Sequence, residues 1–567
     1  MTHHYAAAWE KLQQERAALR LRRPALGSEG LQVVLVGRPY IVFEQALHLG
    51  IPELLEEQGV SLIWQDELEP LGPEPDSDGA LLERMHWSYG KKILAAAELV
   101  ARTDNVFLIY LSCFRCSPDS FLLSYVREIM EQQGKPFLVL QLDEHASDVG
   151  YTTRIEAALR TFQSHRKAPR ARAGARAPSA ARVDERLAPG DTVLIPYINR
   201  LMSSLWAACF RREGFDAQVL QNSEKVIHTG YRYANGGECM PAVAIAGGVI
   251  HQIEQEHLNP RSTLLYLPTV CMACNFPQFP IMAGMAVRAA GIEGLKIPLM
   301  SMLSPSESLP GLLGARLFET SIIASLIYKL HHRTKPYERH AGASEAALAQ
   351  AEARLVRAIQ EREPLRAMFP AVVDLFRAVQ RVDRARPKPR IAILGDMYVK
   401  YNEVVNQHVT DLIEELGGEL VLPSMTDVTC HFLDVDKRVG LEKTNAVRLV
   451  QTFERRYERM AEDLLGDDAE PEWDACAALL DRYQIPSQIA GETSVNLGRA
   501  LYLLTNHKVD AIVHLNPMFC CPGVVSAALF RRLQAEFSVP IIDIFYDGTG
   551  DPNRVLVPHL AYLSSKS

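Results

Sequence analysis

Three segments of the chain alternate short apolar runs with amphipathic stretches. They open with "LQVVLVGRPY" at Leu31, "DTVLIPYINR" at Asp191 and "RIAILGDMYVKYNEVVNQHV" at Arg390. Each apolar run leads through a loop with Gly or Pro into a helical pattern, and the third segment predicts a helix over 403–416. Continuous apolar strands that alternate with helices are typical of parallel sheets covered on both faces. We therefore predict an α/β fold of three doubly wound, Rossmann-like parallel-sheet domains.

Two stretches of different composition separate these segments. The first, "HRKAPRARAGARAPSAARV" at His165, carries six basic residues and no acid, and we interpret it as an exposed linker. The second contains the long helical pattern "ASEAALAQAEARLVRAIQERE" and ends with "RARPKPR". The predicted organisation is an N-terminal helix (1–29), an α/β domain (30–165), a basic linker (166–189), an α/β domain (190–335), a helical connector (336–388) and an α/β domain (389–567).

Composition narrows the class of protein. A chain of 567 residues is too long for one core, and 48% apolar with 23% charged residues is ordinary for a globular protein. The net charge of −8 gives no reason to expect nucleic acid or an anionic membrane as a partner. No apolar run is long enough for a transmembrane helix, and the charged N-terminus lacks the apolar core of a signal peptide. We expect a cytoplasmic protein, where disulfides are rare, so the ten cysteines are expected to be free, catalytic or metal-bound.

Most of the cysteines lie where predicted strands end. Three pairs follow apolar runs, namely Cys113 and Cys116 after "NVFLIYLS", Cys271 and Cys274 after "TLLYLPTV", and Cys520 and Cys521 after "AIVHLNPMF". Cys239 lies in the Gly-rich turn "YANGGECMP" before a helix. Open α/β sheets bind their ligands at the carboxyl ends of strands, so these seven thiols point to a shared site. The other three, Cys209, Cys430 and Cys476, are interpreted as small buried hydrophobes.

Clustered thiols serve several kinds of chemistry. "CFRC" has the spacing of a redox dithiol, but a single CxxC is a weak signal. Structural zinc takes four thiolates, yet the two CxxC pairs lie in different predicted domains, unlike the short spacing of zinc ribbons. Iron–sulfur clusters accept thiolates from distant parts of a chain. Spacing alone leaves iron–sulfur, zinc, a redox dithiol and buried thiols open.

Five stretches, in order along the chain, carry a family resemblance. They are "HWSYGKKILAAAELV", "SCFRCSPDSFLLSYVREIMEQQGKPFLVLQLDEHASDVGYTTRIEAAL", "YANGGECMPAVAIAGG", "GETSVNLGRALYLL" and "NPMFCCPGVVSAALFRRL". Together they resemble the carboxyl half of the large acyl-CoA dehydratase activase-related proteins. That half is similar to the catalytic subunits of 2-hydroxyacyl-CoA dehydratases and benzoyl-CoA reductases, and to double-cubane cluster proteins. The resemblance runs from about Val33 to Leu563.

The resemblance implies an iron–sulfur reductase or a 2-hydroxyacyl-CoA dehydratase-like lyase that acts on a small-molecule substrate. It would accept electrons from a separate ATP-hydrolysing iron–sulfur activase and, like its relatives, form a homodimer. We find no GxxxxGK(S/T) motif and no GxGxxG after a strand, so no nucleotide is expected on this chain. The alternatives are a non-catalytic iron–sulfur electron-transfer protein and a zinc-stabilised binding module.

The resemblance also implies a set of cluster ligands. By motif they are Cys116 in "CSPDSF", Cys239 in "ECMP", Cys274 in "MACNFPQF" and Cys520 in "CCPG". These four would hold one 4Fe–4S cluster. Three further thiols, Cys113, Cys271 and Cys521, either pack in loops or help to hold a double-cubane 8Fe–9S cluster. Asn275 and Pro277 replace the family's Arg and Gly, so the substrate surface is expected to differ, and coenzyme A binding is not established.

Four other polar residues are candidates for catalysis. Arg38 and Tyr40 lie in the "GRPY" loop after a strand, Glu238 precedes Cys239, and Glu492 stands in "GETS" at a helix start. Glu492 has the alternative role of stabilising that helix by its charge. Asp119 and Ser120 are predicted to cap the helix after "CSPDS".

Overall fold

The structure is a computed structural model that describes residues 10–11, 26–27, 30–68, 85–145, 148–167, 188, 190–270, 272–300, 309, 311–382, 388–435, 443–487, 489 and 491–566. Most of the predicted N-terminal helix 1–29 and most of the predicted linker 166–189 lie outside the described residues. The chain divides into two compact units. The first unit comprises Met1–Ala181 and Asn235–Glu238, and the second comprises Arg182–Ala234 and Cys239–Ser567.

The first unit contains a four-stranded parallel sheet in the order β2-β1-β3-β4. The strands are β1 (Gln32–Gly37), β2 (Ser61–Trp64), β3 (Val106–Cys113) and β4 (Phe137–Leu142). The helices are α1 (Pro39–Val42), α2 (Gln45–His48), α3 (Ile51–Glu57), α4 (Ser88–Arg102), α5 (Ser117–Gln132) and α6 (Asp148–Lys167). Helix α6 therefore extends two residues into the predicted linker.

The two central strands of the first unit, β1 and β3, lie in its apolar core. All of β1 and nearly all of β3 are buried, as expected for strands with neighbours on both edges and helices on both faces. Phe107 of β3 stacks on Phe162 of α6 with ring centroids 4.5 Å apart. The chain reverses its strand order between β1 and β3, which opens a crevice beyond their carboxyl ends.

The second unit contains two parallel sheets. In each of them the strand order reverses beside the first strand, as it does in the sheet of the first unit. The three-stranded sheet runs β6-β5-β7, and the four-stranded sheet runs β11-β10-β8-β9. Their strands are β5 (Thr192–Ile195), β6 (Asp216–Val219), β7 (Thr263–Leu265), β8 (Arg390–Gly395), β9 (Glu419–Val421), β10 (Ala511–Pro517) and β11 (Ile541–Tyr546). The three predicted parallel sheets are thus present, while the division into three domains stays a prediction.

Helices surround both sheets of the second unit. They are α7 (Arg200–Arg212), α8 (Glu224–Tyr231), α9 (Met240–Gln255), α10 (Phe279–Ala289), α11 (Leu313–Thr334), α12 (Ala343–Gln360), α13 (Leu365–Arg377), α14 (Val409–Glu415), α15 (Thr426–Val435), α16 (Lys443–Glu458), α17 (Glu462–Leu465), α18 (Trp473–Arg482), α19 (Thr493–Thr505), α20 (Cys521–Phe537) and α21 (Leu556–Lys566). The predicted connector 336–388 forms α12 and α13, whose apolar faces join one core with α7 and α11. No described helix has the length and apolarity needed to cross a membrane.

Candidate functional site

A cavity of about 480 Å³ lies inside the second unit, among the loops that follow its central strands. Pro196 follows β5, Tyr266 follows β7, Asp396 follows β8, and Cys520 lies in the loop after β10. The strand order reverses between β5 and β7 in one sheet and between β8 and β10 in the other. Such reversal points are where doubly wound sheets bind ligands, and here two sheets contribute to one cavity.

Three of the four predicted cluster thiols line this cavity, and they are Cys239, Cys274 and Cys520. Cys239 directly precedes α9, and Cys520 directly precedes α20. The Cys274 Sγ accepts the Phe276 N–H at 3.2 Å, and the Cys520 Sγ accepts the Gly523 N–H at 3.4 Å. Backbone N–H groups and helix starts stabilise negative charge on sulfur, which is the form that binds metals. Cys521 also lines the cavity, and Cys271 lies outside the described residues.

A Cys-x-Pro pattern explains why thiols stand at these helix starts. Proline lacks an N–H, and its φ suits the first helical turn. Pro241 and Pro522 therefore fit in the first turns of α9 and α20 without the loss of a hydrogen bond. The preceding cysteine remains extended, with φ −59° and ψ 123° at Cys239, and φ −61° and ψ 115° at Cys520. Cys116 of the first unit begins α5 in the same way, with φ −61° and ψ 114°.

Two carboxyl groups share the cavity wall with the thiols. The Asp396 Oδ1 accepts the N–H groups of Tyr398 and Val399, both at 2.9 Å, and the Glu492 Oε1 accepts the Met397 N–H at 2.8 Å. Burial raises the pKa of both carboxyls, and the charge of Asp396 raises the pKa of Glu492 further. Glu492 was a sequence candidate, whereas Asp396 was not. The only sequence signal for Asp396 is its position directly after Gly395, the last residue of β8, in "ILGD".

The thiols and carboxyls of the cavity disfavour each other's ionised forms. Burial raises the pKa of Cys239, Cys274 and Cys520 well above the usual thiol value. The charges of Asp396 and Glu492 add to this rise at all three thiols. A metal centre bound to the sulfurs would offset the rise at the thiols, because it displaces their protons and stabilises the thiolates. The donor set is therefore chemically suited to a thiolate-binding metal centre.

Among the described residues, no group of three or more His, Cys, Asp and Glu side chains is arranged to hold a metal ion. This finding concerns a single ion, which requires its ligands to converge on one point. A 4Fe–4S cluster takes its four thiolates on different iron atoms, so its ligands surround a larger centre. The shared cavity of Cys239, Cys274 and Cys520 is observed, and their role as cluster ligands stays a prediction.

In the first unit, Cys116 lies close to Arg38, Tyr40 and Asp119. The Arg38 Nε donates to the Asp119 Oδ1 at 2.8 Å, and the Ser112 Oγ donates to the Asp119 Oδ2 at 2.8 Å. The prediction that Asp119 and Ser120 cap α5 is therefore wrong, because the Asp119 oxygens accept from Arg38 and Ser112, and the Ser120 Oγ donates to the Cys116 carbonyl at 3.0 Å. Burial raises the pKa of Cys116 to about 11, and the charge of Asp119 adds to the rise. Tyr40 is half-exposed, and burial of its other half together with Cys116 raises its pKa.

Two other candidates of the first unit have structural surroundings. Cys113 is the last residue of β3 and packs against the sheet's apolar core, which favours packing over metal binding. The Glu238 Oε1 accepts the Asn235 N–H at 2.8 Å, and its Oε2 accepts the Gly236 N–H at 2.9 Å. Both oxygens of Glu238 thus stabilise its own loop.

The loops around Cys116 and Cys520 share a backbone design. Cys116 N–H donates to the Cys113 carbonyl, and Cys520 N–H donates to the Pro517 carbonyl, both at 3.1 Å. The residue before each cysteine has a left-handed backbone, with φ 54° at Arg115 and φ 60° at Phe519. The same strand–turn–helix arrangement therefore places a thiol in each unit.

The three cysteines without a predicted role are buried in apolar cores. The exposed fractions of Cys209, Cys430 and Cys476 are 0%, 2% and 3%. Their interpretation as buried hydrophobes is confirmed.

Comparison with known proteins identifies no family. No model of a known protein family matches the chain, and no curated protein matches its sequence. The resemblance carried by the cysteine motifs stays a prediction.

Proposed function

We propose that this chain is the iron–sulfur catalytic component of an ATP-dependent reductase or dehydratase-like system. The observation that carries the proposal is that the thiols of Cys239, Cys274 and Cys520 line one cavity at the carboxyl ends of two parallel sheets. The sequence resemblance supplies the reaction class. The cavity favours an enzyme over an electron carrier, because a carrier needs no space for a small molecule beside its cluster.

The residues of the cavity have separate roles in this proposal. An iron–sulfur cluster, when bound, supplies single electrons of low potential. The Phe276 N–H at Cys274 and the Gly523 N–H at Cys520 would stabilise the thiolates that a bound cluster requires. Glu492 accepts the Met397 N–H at Oε1, and its raised pKa favours a proton on Oε2, where it is available to a substrate. The apolar wall keeps water from the reacting groups.

The remaining ligand assignments rest on the resemblance. Cys116 is proposed as a further cluster ligand from its "CSPDSF" motif. One 4Fe–4S cluster needs four thiolates, whereas a double-cubane 8Fe–9S cluster would also use thiols among Cys113, Cys271 and Cys521.

We also propose that the chain works in the cytoplasm as a homodimer, without nucleic acid or membrane partners.

The proposed electron source is a separate iron–sulfur activase that hydrolyses ATP. The test is to mix the anaerobically purified chain with a reduced activase of the resembled family and to follow the cluster's absorbance. We expect bleaching when ATP is added, and none with a non-hydrolysable ATP analogue. The Cys239→Ala variant serves as the control that cannot accept the electron. ATP hydrolysis by the chain alone, or equal reduction without ATP, would contradict the proposal.

A further inference from the structure

Two pairs of aromatic side chains form part of the cavity wall. Trp206 and Tyr266 pack edge to face with ring centroids 6.0 Å apart, and Phe276 and Phe279 pack in the same manner at 5.3 Å. Edge-to-face pairs fix the orientation of their rings and favour further aromatic contacts. A volume of about 480 Å³ is within the range of small-molecule sites.

Two hydroxyl groups of the cavity lining, those of Ser321 and Thr426, are already hydrogen-bonded within the protein. The Ser321 Oγ donates to the Leu317 carbonyl at 2.7 Å and accepts the Trp206 Nε1–H at 3.0 Å. The Thr426 Oγ1 donates to a Glu454 carboxylate oxygen at 2.6 Å. These groups consequently offer little to a polar ligand, and the strongly polar part of the cavity is its thiol and carboxyl end.

The charged groups of the cavity are acidic. Its described lining contains Asp396 and Glu492 but no Lys, Arg or His. Lys400 is buried, and its charge acts on Glu492 and Asp396, but it is not among the lining residues. An anion in this cavity would lose its hydration without gaining a positive partner, which is unfavourable.

We propose that the cavity binds an uncharged aromatic molecule whose single polar group faces the end formed by Asp396 and Glu492. This inference names the substrate class of the proposed enzyme and rests on the proposed function only for the reaction, since binding does not require the cluster. It excludes carboxylates and other anions from the cavity itself.

The test compares a neutral probe with an anionic probe of similar shape. Isothermal titration calorimetry of the full chain, prepared anaerobically, would measure binding of indole and of indole-2-carboxylate. We expect indole to bind at least about tenfold more tightly. Equal or tighter binding of the carboxylate, or tighter binding of benzoyl-coenzyme A than of indole, would overturn the proposal.

A variant that fills the cavity locates the binding site. Ala315 is an exposed lining residue near the start of α11, so Ala315→Phe should lower indole affinity at least about tenfold. Ala353→Phe on the exposed face of α12 is the matched control and should leave affinity unchanged. Leu312→Trp, at an exposed lining residue, provides a second filling variant if the first does not fold. Unchanged affinity in a folded filling variant would overturn the proposal.

Iron content is measured in the same samples, so the two proposals are tested separately. A preparation that contains no iron but binds indole contradicts the proposed function and supports this inference. A preparation that contains the cluster but does not bind indole contradicts this inference alone.

Discussion

The thiols of Cys239, Cys274 and Cys520 act as a group, because each lies beside carboxyls that oppose its ionisation. Burial raises the pKa of Cys239, Cys274 and Cys520, and Asp396 and Glu492 raise it further. At neutral pH such thiols stay protonated unless a metal centre displaces the proton. Cys209, by contrast, lies in an apolar core and does not line the cavity. This difference separates candidate ligands from packing residues.

The first prediction concerns these two classes of cysteine. Replacement of Cys239, Cys274 or Cys520 by Ala should remove most of the bound iron, because each variant deletes one thiolate of a shared centre. Iron and acid-labile sulfide per chain are measured after anaerobic purification. The buried Cys209, Cys430 and Cys476 are the matched controls, and their Ala variants should keep the parent's iron. Full iron content in Cys239→Ala would refute the motif assignment.

Sequence patterns located the thiols of the cavity and Glu492, but not Asp396. Cys239, Cys274 and Cys520 were predictable because each follows a strand or precedes a helix, and such positions meet at one edge of a parallel sheet. The pairing of Arg38 with Asp119 was not predictable, because these residues are 81 positions apart in the sequence. The local pattern around Asp119 indicated a helix cap instead. Asp396 was missed because a lone Asp after a strand is common in turns.

At the scale of elements, two glycines let α8 and α9 approach closely. A Cβ added to Gly230 would lie 2.0 Å from the Val243 carbonyl oxygen, and one added to Gly247 would lie 2.1 Å from the Val226 carbonyl oxygen. Both oxygens belong to the backbone and cannot move aside cheaply. This contact positions α9, whose first turn follows Cys239.

The second prediction uses two adjacent glycines of α9. Gly247→Ala should destabilise the second unit by about 3 kcal/mol or more, because its methyl group would force the two helices apart. Gly248→Ala is the control, because its methyl group would meet the Leu220 side chain at 3.2 Å, and it should change stability by less than about 1 kcal/mol. Urea unfolding of both variants measures the difference. Equal stability of the two variants would contradict the described packing.

Most strands followed the predicted pattern, but one helix did not. The predicted helix 403–416 is helical only from Val409 to Glu415. Asparagine side chains hold the preceding turns, since the Asn402 Oδ1 accepts the Val405 N–H at 3.0 Å and the Asn406 Oδ1 accepts the Val409 N–H at 3.3 Å. Periodicity indicates a helix over this stretch, while side-chain hydrogen bonds to the backbone compete with it.

At the scale of the whole molecule, stability depends on groups far from the cavity. Burial lowers the pKa of His331 to about 3, and neighbouring His332 adds to the decrease. The His331 Nδ1 forms a 2.9 Å hydrogen bond with the Ser344 Oγ, which links α11 to α12. The neutral ring is therefore the form that the folded state accommodates.

The third prediction is a loss of stability in mild acid. Above pH 6.5 His331 is neutral in both states, but below it the unfolded chain binds a proton that the folded chain does not. Its contribution to the free energy of unfolding should therefore fall by about 2 kcal/mol between pH 7 and pH 5. Urea unfolding of the parent and of His331→Gln measures this contribution as their difference. Exposed His340→Gln is the control, and a pH dependence equal to the parent's in His331→Gln would contradict the assignment.

The central claim is that the thiols at the sheet ends hold an iron–sulfur cluster. The most direct measurement is the metal and acid-labile sulfide content of the full chain purified under strictly anoxic conditions. We predict a brown protein with iron and sulfide in near-equal amounts, where about four irons per chain indicate one cubane and about eight a double cubane. Stoichiometric zinc with no iron or sulfide would contradict the account.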